Sequence, residues 1–241
     1  MSTVEEFRAL HLRRAEDDPL ILPGPWDAAS ARVFAEAGFP ALATPSAGVA
    51  ASLGYADGAT GADLMFAAVA RIARAVDVPV SADVEDGYGL APEELVERLL
   101  GAGAVGCNLE DSQPGGILKD QHEHAEYLAE VCSVAAGRLF VNARVDTFVH
   151  GDGDPERAVE RATLYTAAGA DCVYPILAPP DVLPLLRAGV EGPLNALALL
   201  DDGGPSPTAL GRLGATRVTF GPGLQRRAVA ALREITAGLG S

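Results

Sequence analysis

Short apolar runs recur along the chain, and between them lie longer segments whose apolar residues repeat at helical spacing. Runs of this kind read as parallel strands buried on both faces, because a strand covered by helices on each side has no reason to alternate. The candidates are Leu20–Leu22, Ala41–Thr44, Val80–Asp83, Gly106–Leu109, Leu139–Ala143, Cys172–Pro175, Pro193–Leu197 and Arg217–Phe220. Several are announced by the same phrase, as in Ala35-Glu36-Ala37-Gly38, Gly101-Ala102-Gly103, Ala167-Ala168-Gly169, Arg187-Ala188-Gly189 and Leu213-Gly214. Glycine closing a helix just before a strand is the αβ-loop chemistry of a repeating βα unit. Eight such units in 241 residues predict one α/β domain over 1–241, a (β/α)8 TIM barrel. The Pro/Gly-rich stretch Asp201–Pro207 is short enough to be one of its loops.

Composition then narrows the partner. A formal charge of −15 opposes both nucleic acid and anionic lipid, since each is a polyanion that calls for a basic surface. A small molecule is the default ligand, and an anionic one needs a local cation or arginine. Cys107, Cys132 and Cys172 are odd in number and lack CxxC spacing, which suggests reduced thiols rather than disulfides or a zinc site. No basic n-region opens the chain, and no apolar stretch reaches the ~20 residues a bilayer span requires. A cytoplasmic protein with no membrane partner is expected.

In a barrel, ligand chemistry sits where strands end in βα loops. Asp83 ends one strand and Glu85 follows two residues on, so both carboxylates can converge on one hard cation, magnesium or manganese. Capping of the next helix is the plainer reading of the same acids. Glu110 and Asp111 end the neighbouring strand, and carboxylates crowded on one rim repel each other unless a cation neutralises them. Arg144 ends the strand after that. It has the bidentate geometry to hold a substrate carboxylate, or to pair with Glu110 or Asp146 inside the rim.

These residues belong to a longer set of motifs. The set is Leu22-Pro23-Gly24-Pro25-Trp26-Asp27, Ser46-Ala47-Gly48, Ser52-Leu53-Gly54-Tyr55-Ala56-Asp57, Asp83-Val84-Glu85-Asp86-Gly87-Tyr88-Gly89, Asn108-Leu109-Glu110-Asp111-Ser112 and Asn142-Ala143-Arg144-Val145-Asp146. Together they resemble the isocitrate lyase/phosphoenolpyruvate mutase superfamily over almost the whole chain. The resemblance implies a metal at Asp83 and Glu85, with Asp57 and Glu110 as acids around its waters. It implies a substrate carboxylate on Ser46, Ala47 and Gly48, Arg144 as the substrate-binding arginine, and Asn195 as a polar group near the rim of the seventh strand. It further implies a magnesium-chelated 2-oxo acid and a homo-oligomer, tetramer or dimer, with the C-terminal helix exchanged between subunits. Tyr88 is a candidate to line the pocket and bind substrate, or to pack against its wall.

The chain also departs from that pattern. The lyases of the family carry a cysteine in the loop after the fourth strand, and here the loop is Ser112-Gln113-Pro114-Gly115-Gly116-Ile117-Leu118-Lys119. No thiol acid is present in it. Lys119, the only lysine, is a candidate for charge stabilisation on a lid hinged at Gly115-Gly116, and His122 and His124 are candidates for proton transfer. After the sixth strand stands apolar Ile176-Leu177, which speaks against a tricarboxylate. The expected activity is magnesium-dependent C–C cleavage of an oxaloacetate- or malate-like di-acid through a pyruvate enolate. The alternatives are P–C chemistry on a phosphonopyruvate-like substrate, or a binding barrel without turnover.

Overall fold

The computed structural model describes residues 3–12, 15–151, 153–200 and 204–239. Eight parallel strands carry the fold: β1 (Leu20–Ile21), β2 (Leu42–Ala43), β3 (Val80–Asp83), β4 (Gly106–Glu110), β7 (Phe140–Val145), β8 (Cys172–Pro175), β9 (Asn195–Leu197) and β10 (Arg217–Thr219). Between β4 and β7 an antiparallel hairpin, β5 (Ser112–Gln113) and β6 (Ile117–Leu118), rises from the rim. The strands run in the orders β2-β3-β4-β7-β8 and β1-β10-β9. Two seams join these groups into a ring. A parallel bridge pairs Val173 with Leu194, backed by Val173 N–H donating to Pro193 O at 3.2 Å, and Ala43 N–H donates to Pro23 O at 3.2 Å. The chain is thus a (β/α)8 barrel, as its apolar rhythm predicts.

The strand-announcing glycines serve as expected in the main. Gly103 and Gly169 take φ of +80° and +103°, values that a side chain would strain. Gly189 is different. It still lies in the helix Leu183–Gly189, and a Cβ there would stand 2.5 Å from Val159 Cγ1, so it is needed for close packing rather than for a left-handed turn.

Packing leaves one end of the barrel free. Phe7, His11 and Phe140 close the N-terminal end, with the His11 and Phe140 rings stacked at 4.1 Å and Phe7 edge-on to Phe140 at 5.2 Å. Burial of this cluster seats the first helix, Thr3–His11, across the bottom. Chemistry is left to the other end. Of the Asp201–Pro207 loop, residues 201–203 lie outside the described residues.

The C-terminal helix, Gly223–Leu239, buries none of its residues, and Leu232, Ile235 and Leu239 are 60%, 59% and 79% exposed. Among the described residues no helix is long and apolar enough to cross a membrane.

Candidate active site

A cavity of about 500 Å3 opens at the C-terminal ends of the strands. Register determines what faces it. Asp83, Asn108 and Asn142 pair across β3, β4 and β7 on one level, and Glu110, Arg144 and Tyr174 pair across β4, β7 and β8 two residues higher. Side chains two apart on a strand share a face, so these two levels line the same interior.

Asp83 is buried, and its oxygens are held in place. Ser46 donates to Oδ2 from its N–H at 3.2 Å and from Oγ at 2.9 Å, while Glu85 N–H donates to Oδ1 at 3.3 Å. Glu85 has φ of +52°, which turns the chain sharply after β3, and its Oε1 is buried with no hydrogen-bond partner. Burial pushes the Glu85 carboxyl up to about 7, and Asp83, Asp57 and Asp86 add to the rise. Glu110 is pushed up to about 9, first by burial and then by Asp83, with Arg144 opposing. Asp83 is raised too, mainly by burial. Too much negative charge therefore crowds one rim for the positive charge nearby.

Among the described residues, no three His, Cys, Asp or Glu side chains converge as a complete metal-ligand set. A hard divalent cation does not need one. Magnesium is commonly held by one or two carboxylates, with water and substrate oxygens filling an octahedron. The unpartnered Glu85 Oε1 beside an anchored Asp83 fits such a group. Asp83 and Glu85 thus both face the cavity, without forming a closed cage.

Arg144 lies between acids, 12% exposed. Its Nε and Nη2 donate to the two oxygens of Asp146 at 2.5 and 3.0 Å, and its Nη1 forms a close ion pair with Glu110 Oε1. Asp146 is fixed in turn, since its N–H donates to Asp111 Oδ1 at 2.8 Å and its Oδ2 accepts from Ser112 Oγ at 2.5 Å. Asp111 is fully buried and also receives Arg161 Nη1 at 2.8 Å and Tyr165 OH at 2.7 Å. Asp111 is therefore the anchor of the rim rather than part of the cavity.

Ser46, Ala47, Asp57, Asp83, Glu85, Glu110 and Arg144 all line the cavity, so the structure brings most of the sequence-derived site together. Four candidates fall outside it. Gly48 sits in the helix Ser46–Leu53, where a Cβ would come 2.9 Å from Pro45 Cγ, so its part is close packing. Tyr88 is packed edge-on to Phe66 at 6.2 Å. Asn195 is fully buried next to Tyr174 in register, its Oδ1 accepting from Thr219 Oγ1 at 3.3 Å. Lys119 corrects the lid expectation. The hairpin carries it back to the rim, where Nζ donates to the Asp86 and Glu110 carbonyls at 3.2 and 3.3 Å, so it braces two loops from behind.

Neither candidate proton carrier reaches the cavity. His122 is exposed in the first turn of the helix Gln121–Ala135, whose cap is Asp120, and His124 is buried against Tyr165 at 5.1 Å.

Sequence reasoning missed Asn108, His150, Tyr174 and Arg226. Asn108 Oδ1 accepts from Asn142 Nδ2 at 2.7 Å and Arg217 Nη2 at 3.4 Å, which orients its amide. His150 and Arg226 stand in the loop after β7 and at the start of the helix after β10, positions that the barrel rule marks out.

The model of the family described as phosphoenolpyruvate phosphomutase matches residues 7–239. The chain belongs to this family. A Burkholderia cenocepacia protein described as a lyase/mutase superposes with a TM-score of 0.90 at 34% identity, over 98% of this chain and 86% of that one. The 2-methylisocitrate lyase of Halalkalibacterium halodurans is 29% identical over 218 residues, 84% of this chain and 69% of its own. A 2,3-dimethylmalate lyase of the phosphoenolpyruvate mutase/isocitrate lyase superfamily gives a TM-score of 0.85 at 27% identity, covering 99% and 84%. The chain is accordingly an enzyme of the lyase/mutase kind.

Proposed function

We propose that the enzyme cleaves a C–C bond of a small 2-oxo or 2-hydroxy di-acid, oxaloacetate-like or substituted-malate-like, leaving an enolate: that of pyruvate from a 2-oxo acid, and that of the departing carboxylate, with pyruvate as the ketone product, from a 2-hydroxy acid. One observation carries the reading. Asp83, Glu85, Glu110 and Arg144 line a single cavity in which acids outnumber cations, an arrangement suited to a substrate that arrives chelated to a divalent ion. Magnesium, or manganese in its place, would be held by Asp83 and Glu85 and would supply a Lewis acid for the charge that develops on the 2-oxo oxygen.

The chain's own residues do the rest. Ser46 anchors Asp83, and Ala47 lies in the first turn of the helix Ser46–Leu53, whose N–H groups suit a carboxylate. Arg144, kept in its fork by Asp146, orients the substrate carboxylate and offsets its charge. Glu110 and Asp57 hold waters at the rim. Ile176 and Leu177, in the cavity wall, limit the polar groups that a larger substrate could place there. The P–C alternative is less favoured, because Lys119 bonds to loop carbonyls outside the cavity and, among the described residues, only Arg144 and Arg226 of the arginines line the wall.

The exposed stripe of the C-terminal helix supports a further element of this reading, a homo-oligomer in which that helix packs on a second copy.

The test is pyruvate release from oxaloacetate, 2,3-dimethylmalate, 2-methylisocitrate and phosphonopyruvate with and without magnesium, above the protein-free background. Turnover of a C–C substrate that is lost on chelation, and lost in Asp83→Ala, is expected. Pyruvate from phosphonopyruvate alone would move the assignment to P–C chemistry, and release from none would overturn it.

A further inference from the structure

We propose that His150 is the proton carrier of the reaction, giving a proton to C3 of the pyruvate enolate and, in the reverse sense, removing one from C3 of pyruvate. The inference rests on the enolate reading above and goes beyond it by naming the acid.

The cavity wall holds few groups able to do this. Of its five carboxylates, Asp83 and Glu85 are given to the cation site, Asp57 to the waters at the rim, Glu110 to Arg144, and Asp86 to the Tyr88 N–H and the Lys119 ammonium, while Arg144 is locked between two acids. The Tyr174 hydroxyl is buried and pushed up to about 12, first by burial, so it holds its proton too tightly. The hairpin facing the cavity contributes Ser112, Gln113, Pro114, Gly115 and Gly116, none of them an acid of useful strength. His150 is the one histidine on the wall among the described residues, and imidazole both gives and accepts protons near neutral pH.

Its surroundings suit the task. His150 ends the short helix Thr147–His150, six residues beyond Arg144, and is exposed, so bulk water can restore its proton. The hairpin tip lies flush on the ring, since a Cβ added to Gly116 would come 2.7 Å from Nδ1 and 2.9 Å from Cε1. Gly116 has φ of +82°, so both the backbone there and the space above the ring call for glycine. With the Nδ1–Cε1 edge covered, Nε2 is the nitrogen assigned to exchange. The loop that lacks an acid of its own thus positions an acid from the neighbouring strand.

The step balances without a co-reactant. As C3 of the enolate takes the proton from the imidazolium, the N–H bond breaks and the C2=C3 π pair becomes the new C–H bond. The oxygen pair meanwhile restores the carbonyl, and neutral imidazole regains its proton from water. In the reverse sense the C3–H pair becomes the C2=C3 bond and the proton passes to His150.

The reverse step gives a test that needs no knowledge of the physiological substrate. Pyruvate is incubated with the full-length protein and magnesium in D2O, and loss of the methyl signal is followed by proton NMR, with oxalate binding measured in parallel. The parental protein should exchange C3 protons above the magnesium-only rate. His150→Gln should lose about 100-fold or more of that exchange, the scale of a missing general acid–base group, while binding oxalate within about twofold of the parent. His150→Ala should regain exchange when free imidazole is added, and His122→Gln should be unchanged. Exchange at the parental rate in His150→Gln would overturn the inference and leave the proposed function standing. Loss of oxalate binding together with exchange would also overturn it, by making His150 a binding residue. A parental protein that binds oxalate but exchanges nothing would do the same, and one that neither exchanges nor binds would overturn the enolate reading itself.

Discussion

Arg144 and Asp146, two residues apart at the end of β7, face each other fork to fork, with Nε and Nη2 on the two carboxylate oxygens at 2.5 and 3.0 Å. A lysine cannot span both oxygens and reach Glu110 as well. Arg144→Lys is therefore expected to lower kcat/KM by about 100-fold, the scale on which misplacing a substrate-positioning group acts. Steady-state kinetics on the substrate found by the panel above would check this, and a loss below threefold would remove Arg144 from the site.

Asp111 binds three donors with no exposed surface, so removing its cation leaves a buried charge without compensation. Arg161→Met is expected to destabilise the protein by about 3–5 kcal/mol, the usual cost of breaking a buried pair from one side. Denaturant unfolding is the measurement, and a change under 1 kcal/mol would show that the pair contributes little.

The rim acids give a pH dependence whose sign can be worked out. Folding raises Glu85 to about 7 and Glu110 to about 9, so the folded state keeps protons that the unfolded chain has already released. Their contribution to stability is full below the ordinary carboxylate range and is lost as pH rises through those values. A divalent cation replaces the missing protons. Magnesium should accordingly raise Tm more at pH 8.5 than at pH 5.5, and Glu85→Gln should shrink the difference. Equal shifts at both pH values, read by thermal melts, would count against the cation site.

His124 acts in the opposite sense. Burial, reinforced by Lys119 and Arg161, pushes its imidazole down to about 3, so below its ordinary range the unfolded chain binds a proton that the folded protein refuses. Stability from this residue is present above about pH 6.5 and falls toward pH 3, by at most about 1.4 kcal/mol per pH unit. His124→Phe should flatten the parental slope between pH 6 and 4.5, and an unchanged slope in urea titrations would refute it.

The C-terminal helix gives a prediction about assembly. Sedimentation of the parental protein should show a dimer or tetramer, and Leu232→Asp with Ile235→Asp should release monomers. A monomeric parent would contradict it.

Much of this was legible beforehand because parallel barrel strands are buried on both faces. The run Cys172–Pro175 reads as a strand at the bounds it takes, and Asp83, Glu110 and Arg144 are visible as charged residues that end apolar runs. Lys119 was misread because a hairpin of two-residue strands, too short to show a periodicity, reverses the chain before it. His150 was overlooked since a single turn of helix separates it from Arg144, and nothing local distinguishes it from a solvated loop residue. Gly48 lies within the right motif but on the packing side, a difference of direction that only coordinates reveal.

The hairpin's base and tip answer to different demands. Ser112 and the Asp111 carbonyl tie its base to the rim, through Asp146 and Lys119 N–H, whereas Pro114, Gly115 and Gly116 face only the cavity and the His150 ring. A handful of residues at the tip can thus be swapped by mutation without loosening the barrel beneath. The tip is therefore the part of the rim where a change in what the cavity admits costs the barrel least.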